Sequence, residues 1–257
     1  MLKDKILRGE KMVGTHIYVT DVASSKMAGL AGYDYIWLDW EHSYMNFETL
    51  QNHIIAIQGT GTPVVVRVPQ NDLTATKKIL DMGPDGIVFP MVHSAAEANK
   101  LIDMTLYPPY GSRGFCPMNA IDFGFKDVLE YVEANHDTMC RFIQLEHADA
   151  IDDLDEIMEN PFIDGYIFGP NDLSGSINDF MNVYGDNTTG LIIETTERLH
   201  AAGKYAGLST GSVDEQVLRH WYAAGIDMIS AGSDLDFIRI MLKSNLETLD
   251  KIFRKGE

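Results

Sequence analysis

Four polar runs stand out because each follows an apolar, β-branched stretch. They are Asp39-Trp40-Glu41-His42, the lone Arg67 after Val64-Val65-Val66, Gln144-Leu145-Glu146-His147, and Gly169-Pro170-Asn171-Asp172. Glu146 and Asp172 offer two hard carboxylates with no thiolate or three-histidine set beside them. Such a pair suits one divalent cation of the Mg²⁺ or Mn²⁺ type, with waters where a substrate will sit. The plainer alternative makes Asp172 a cap for the following turn and Glu146 a solvated strand end. Imidazole in general titrates near neutrality, and His42 has carboxylates beside it in sequence, so it can act as a base. A lone histidine after a strand can equally be a structural hydrogen-bonding group. Arg67 lies in an apolar run where an unpaired guanidinium is costly, so it needs an anion, either a protein carboxylate or a substrate oxyanion. His16, His147 and Cys116 fall near the same rim, and nothing in the sequence activates Cys116. The lysines lie in helices, in loops or (Lys204) at the start of a strand, which disfavours Schiff-base chemistry.

Bringing these residues together requires a frame that gathers several strand ends. Strands are expected at 13–18, 34–39, 63–67, 86–90, 140–146, 163–168, 204–208 and 226–231. Helical patterns lie near 21–31, 46–58, 71–82, 94–105, 148–159, 186–202, 212–224 and 233–254. Near-continuous apolar strands alternating with helices indicate buried parallel strands and right-handed crossovers. Eight such units predict an α/β fold of the (β/α)8 TIM barrel type, one domain over 1–257, with its chemistry at the C-terminal strand ends. A doubly wound sheet is the alternative, but no Gly-x-Gly-x-x-Gly follows the first strand. Two features are added to the barrel. Residues 107–124 read as a long connection after strand four, of the kind that is either a functional lid or disordered. The last helix is apolar on more than one face, which predicts either a subunit contact or a helix closing the barrel floor.

Composition narrows the partners. Lys plus Arg is 20 against 38 Asp plus Glu, a formal net charge of −18. With no basic stripe, nucleic acid and anionic membrane surfaces are disfavoured. No apolar run reaches the ~18–20 residues of a membrane span. The charged start, Met1-Leu2-Lys3-Asp4-Lys5, has no secretory pattern, and two cysteines make no disulfide framework. A cytoplasmic protein is expected.

The ordered series Trp37-Leu38-Asp39-Trp40-Glu41-His42, Val65-Val66-Arg67, Tyr107-Pro108-Pro109-x-Gly111-x-Arg113-Gly114, Gln144-Leu145-Glu146 and Gly169-Pro170-Asn171-Asp172-Leu173-Ser174 resembles the HpcH/HpaI aldolases. The likeness runs through nearly the whole chain. These are class II pyruvate aldolases such as 4-hydroxy-2-oxoheptanedioate aldolase and 2-dehydro-3-deoxyglucarate aldolase. The resemblance implies reversible cleavage of a 4-hydroxy-2-oxo acid to pyruvate and an aldehyde through an enolate held on a divalent cation. The cation would be Mg²⁺ or Mn²⁺, with Co²⁺ a further option, and the assembly a homo-oligomer, a hexamer by the family's pattern. It carries the catalytic base onto His42, the transition-state arginine onto Arg67 and the metal carboxylates onto Glu146 and Asp172. Gln144 and Asp172 fall among the substrate-binding residues, and Asn171 presents a backbone N–H to the pyruvate carboxylate. The aspartate that raises the histidine's basicity falls on Asp81. The helical pattern puts Asp81 at the end of the third helix, towards the floor, so a neighbouring subunit would have to supply it.

Three departures from the family's pattern mark the second-substrate pocket: His16 where relatives carry Trp, Trp40 in place of a small residue, and a 115–122 stretch without arginine. An uncharged aldehyde is therefore expected over an acidic one, unless Arg113 or a neighbour's arginine reaches the pocket. Other readings are a phosphate-handling barrel, suggested by Gly211-Ser212 and Gly232-Ser233, a CoA-thioester lyase of the citrate-lyase-beta or malyl-CoA type, and a non-catalytic assembly subunit. Asp214 and Asp234 oppose the first of these, and the missing basic patch opposes the second.

Overall fold

Every residue of Tyr35–Asp39, Val64–Arg67 and Gly86–Phe89 is buried, so these strands need cover on both faces. They get it in a closed parallel barrel, β1 to β8 in chain order, with β8 returning to β1. The computed structural model describes residues 1–256. The strands are β1 Met12–Ile17, β2 Tyr35–Asp39, β3 Val64–Arg67, β4 Gly86–Phe89, β5 Cys140–Leu145, β6 Gly165–Phe168, β7 Ala206–Thr210 and β8 Met228–Ser233. The helices are α1 Leu2–Leu7, α2 Val22–Leu30, α3 Phe47–Gln58, α4 Leu73–Asp81, α5 Ala95–Asp103, α6 Val128–Thr138, α7 Ala148–Asp152, α8 Leu154–Met158, α9 Pro170–Ser176, α10 Asp186–Ala201, α11 Glu215–Ala223 and α12 Asp234–Leu249.

Strand periodicity sorts the core into two layers. Ile36, Leu38, Val64, Val66, Ile87 and Phe89 face the helices. Tyr35, Trp37, Val65, Val88, Phe142 and Ile167 fill the barrel interior with Met12, Tyr205 and Leu2. The parity that turns Tyr35 and Trp37 inward delivers Asp39 to the top of the interior. The same alternation carries Arg67, Gln144 and Glu146 to that level.

Three expectations need correction. The 107–124 segment does not cap the strand ends. It begins after α5, so it runs in an αβ connection, and those lie at the opposite end of a barrel. Its contacts agree: Asn119 Nδ2 donates to Met82 O (2.6 Å), just before β4 begins, and a Cβ at Gly83 would collide with Ala120. Next, the floor is plugged by α1 through Leu2, not by the last helix. Along α12 only Asp234 is buried, while Leu235, Ile238, Met241, Leu242, Leu246 and Leu249 are exposed. Third, the 148–159 helix breaks at Asp153, whose carboxylate accepts the Ala95 N–H (2.5 Å). Helices α1, α6 and α9 have no counterpart in the sequence reading.

Candidate active site

Arg67 is the centre of the barrel mouth. Its side chain is 7 % exposed, and the anion it requires is a protein carboxylate. Asp39, fully buried, takes Nη2 and also Nε (3.3 Å). Nη1 lies 2.8 Å from Glu41 Oε2 and donates to Gln144 Oε1 (3.2 Å). Beneath, the guanidinium sits 5.7 Å from the Trp37 ring. Asp39 is depressed despite its burial because Arg67 is so close. Its Oδ1 also accepts the N–H groups of Glu41 and His42 (3.1 Å each), so one carboxylate fixes both the guanidinium and the turn presenting His42. Sequence reasoning quoted Asp39 and Glu41 but gave them no role; the signal available was that a buried arginine at register with Asp39 must be answered across the β2–β3 pair.

Gln144 links this cluster to Glu146. Its Nε2 donates to Glu146 Oε2 (2.9 Å) while its Oε1 faces Arg67. The other oxygen of Glu146 accepts the Met91 N–H (2.6 Å), from a residue held at φ 48°, a sparsely populated backbone state of the kind found at working sites. Gly169, at the next strand end, is required here, since a Cβ would sit on Glu146 Oε2. Burial lifts the Glu146 carboxyl to about 7, with the nearby charges of Glu41 and Asp172 adding to the effect. Burial also raises Glu41. The mouth thus places Asp39, Glu41 and Glu146 around a single guanidinium, with Asp172 lining the same cavity. This surplus of hard anionic oxygens fits a divalent cation at Glu146 and Asp172.

His42, Arg67, Gln144, Glu146, Asn171 and Asp172 line one cavity of about 200 Å³, shared with His16, Tyr18, Ser209, Gly232, Ser233 and Asp236. Asn171 and Asp172 occupy the first turn of α9, where hydrogen bonding within the helix starts at Leu173 N–H to Gly169 O (3.0 Å). Their own N–H groups therefore have no intrahelical acceptor. His42 stands at the opening, its side chain 60 % exposed and Nε2 3.7 Å from Glu41 Oε2. His16 is buried and held neutral by desolvation. Its Nδ1 donates to Gly232 O (2.9 Å), leaving Nε2 to accept from Ser209 Oγ (2.9 Å). Trp40 turns away from the mouth: Nε1 bonds Met45 O and the ring packs edge-on against Phe47.

Asp81 is not brought to this cavity. It ends α4 at the floor, 3.5 Å from Arg113. Arg113, its side chain wholly buried, also donates to Asn135 (3.3 Å) and so does not reach its own mouth. Cys116 lies exposed in the same floor segment. At the α12 N-terminus the N–H groups of Leu235 and Asp236 are already taken by Asp234 Oδ1 (2.9 Å) and Ser233 Oγ (3.1 Å), and the Asp234 carboxylate, which also accepts the Tyr18 and Val19 N–H groups (3.0 and 3.1 Å), opposes a phosphate there.

The model of the HpcH/HpaI aldolase/citrate lyase family matches residues 16–239. A 2-keto-3-deoxy-L-rhamnonate aldolase of Escherichia coli (strain K12) is 31 % identical over 248 residues, covering 94 % of this chain and 92 % of that one. The crystal structure of an HpcH/HpaI aldolase from Desulfitobacterium hafniense DCB-2 superposes with a TM-score of 0.90 at 26 % identity, over 97 % of this chain and 96 % of the other. A family member from Burkholderia cenocepacia J2315 shares the fold at TM-score 0.90 and 23 % identity, over 96 % and 98 %.

Proposed function

This chain belongs to the HpcH/HpaI aldolase/citrate lyase family, and from that premise we propose that its barrel mouth cleaves a 4-hydroxy-2-oxo acid to pyruvate and an uncharged aldehyde. It is a carbon–carbon lyase of the class II pyruvate aldolase type. The observation that carries the finer reading is the Asp39–Arg67–Gln144–Glu146 chain of contacts, which sets a guanidinium and a surplus carboxylate side by side in one small cavity.

Glu146 and Asp172 would hold a divalent cation, which when bound supplies Lewis-acid polarisation of the keto acid. Arg67 has more N–H donors than Asp39, Glu41 and Gln144 consume, so it can stabilise oxyanion charge as the enolate forms. Being fixed beforehand by Asp39, it does so without reorganising. His42, at the opening, takes the proton of the 4-hydroxyl as the C3–C4 bond breaks and its electron pair passes to the enolate; a proton from water then reaches C3 to give pyruvate, and addition runs the same steps in reverse. The Asn171 N–H, at the free first turn of α9, receives the pyruvate carboxylate. Gln144 contacts the substrate through the amide that bridges Arg67 and Glu146.

The aldehyde end argues for an uncharged partner. Arg67 is the only cation lining the cavity among the described residues, and nearby Arg239 is already paired with Asp236 (3.0 Å). Ser209, Ser233 and Asp236 instead offer hydroxyl-binding groups. A homo-oligomer is part of the proposal: Leu242, 65 % exposed, belongs to an apolar α12 face that needs a second copy for cover, and Asp81 can serve a His42 only across such a contact. No helix among the described residues is long and apolar enough to cross a membrane, and we place the enzyme in the cytoplasm without nucleic-acid or membrane partners. Pyruvate release from a 4-hydroxy-2-oxo acid, assayed after chelation and after adding back Mg²⁺ or Mn²⁺, tests the reading. Release that never depends on the cation counts against it.

A further inference from the structure

Outside the cavity, the rim between β4 and β5 gathers His93, His147 and Asp149, none of which the proposed chemistry uses. We propose that these three form a second metal site, selective for an imidazole-binding ion of the zinc class and separate from the carboxylate pair Glu146 and Asp172. One ligand atom from each residue lies within 4.8 Å of the other two. Asp149 Oδ2 is 3.3 Å from His147 Nδ1 and 3.7 Å from His93 Nδ1. Bonds of ~2.0–2.1 Å in a tetrahedron space their ligands by roughly 3.3 Å, so closing the site takes only small side-chain rotations. The imidazole rings stand 4.3 Å apart between centroids.

Local structure makes the donors available. His147 caps α7, its Nδ1 accepting the Asp149 N–H (3.2 Å), so that nitrogen carries its lone pair and not a proton. An ion there replaces a single long hydrogen bond. All three side chains reach solvent, leaving a fourth position for water. Two imidazoles and one carboxylate favour Zn²⁺, Co²⁺, Ni²⁺ or Cu²⁺, whereas Mg²⁺ prefers oxygen donors. The two sites therefore differ in hardness. Occupancy would clasp the two segments flanking Glu146: His93 lies two residues beyond Met91, whose N–H holds Glu146, and His147 follows Glu146 directly.

The test is Zn²⁺ titration of the full chain by calorimetry with Mg²⁺ in large excess, and Co²⁺ absorption in the visible as a report on coordination. A Glu146→Gln/Asp172→Asn variant, lacking the carboxylate site, is titrated in parallel. One saturable Zn²⁺ per chain should persist in both samples and should weaken at least about tenfold in His93→Ala and in His147→Asn. The asparagine retains a cap for α7. An intense tetrahedral Co²⁺ band should vanish in the same two variants. Zn²⁺ binding that Mg²⁺ displaces, or that survives both histidine substitutions unchanged, overturns the proposal.

Discussion

Replacing Arg67 by lysine keeps a positive charge beside Asp39 but removes the fork that reaches Asp39, Glu41 and Gln144 together. A single ammonium satisfies Asp39 and leaves the enolate side with no positioned donor. Losing one such donor typically costs ~10²–10³ in rate, about 2.7–4 kcal/mol of transition-state stabilisation. The expected pattern is a fall of that size in kcat for pyruvate release with little change in KM, because the interaction strengthens only as charge develops. Arg67→Ala should show the same kinetic loss together with a fall in stability of about 3–5 kcal/mol, since Asp39, wholly buried, would keep its charge without a cation. The comparison separates the roles: lysine should recover most of the thermal stability and almost none of the rate. Steady-state kinetics with a lactate-dehydrogenase-coupled assay, and thermal unfolding on the same preparations, read both quantities. A lysine variant with near-native kcat and a raised KM would refute the reasoning and reduce Arg67 to a ground-state binding group.

Burial raises Glu146 to about 7, above its unfolded value, so in the metal-free protein its stabilising contribution is present at low pH and is lost as pH rises through about 7. A cation competes with that proton, and its affinity should fall about tenfold per pH unit below 7, as calorimetry with Mn²⁺ between pH 5 and 8 would show; a flat profile would remove Glu146 from the ligand set. His42→Ala should abolish most aldol cleavage while sparing more of the pyruvate C3 proton exchange, followed by NMR in D₂O; equal losses would mean that His42 does not serve the 4-hydroxyl. In matched additions of pyruvate, a neutral hydroxyaldehyde should exceed succinic semialdehyde in kcat/KM, and the reverse order would require a cation that the cavity of one chain lacks. Asp39→Asn should lower thermal stability and kcat together, because the same carboxylate holds Arg67 and the His42 turn; loss of one without the other would break that link.

Much of this site was legible because strand parity is strict. Once Tyr35 and Trp37 are assigned inward, Asp39 must be inward too, and the same logic carries Val65 to Arg67 and Phe142 to Gln144 and Glu146. The need of Arg67 for an anion was readable from its apolar flanks, but the choice between protein and substrate was not, because it depends on register across β2 and β3. The 107–124 segment misled because a proline- and glycine-rich loop looks the same at either end of a barrel; only the end of α5 at Asp103 decides which end it serves. Trp40 is a similar case. Its position beside His42 says nothing of its rotamer, which the Met45 carbonyl and the Phe47 ring determine. The apolar α12 left a subunit contact and a floor-closing helix both open, and its failure to close the floor follows from Leu2 already being there.

The central claim is that Glu146 and Asp172 hold the cation on which pyruvate release depends. Its most direct measurement is pyruvate release by the chelated wild-type enzyme and by Glu146→Gln, each titrated with Mn²⁺ while bound Mn²⁺ is counted by electron paramagnetic resonance. The account predicts that wild-type activity returns in proportion to bound Mn²⁺, while the folded variant neither holds the ion at those concentrations nor recovers activity. Full activity in the metal-free wild type, or a Glu146→Gln variant that binds and cleaves as before, would contradict it.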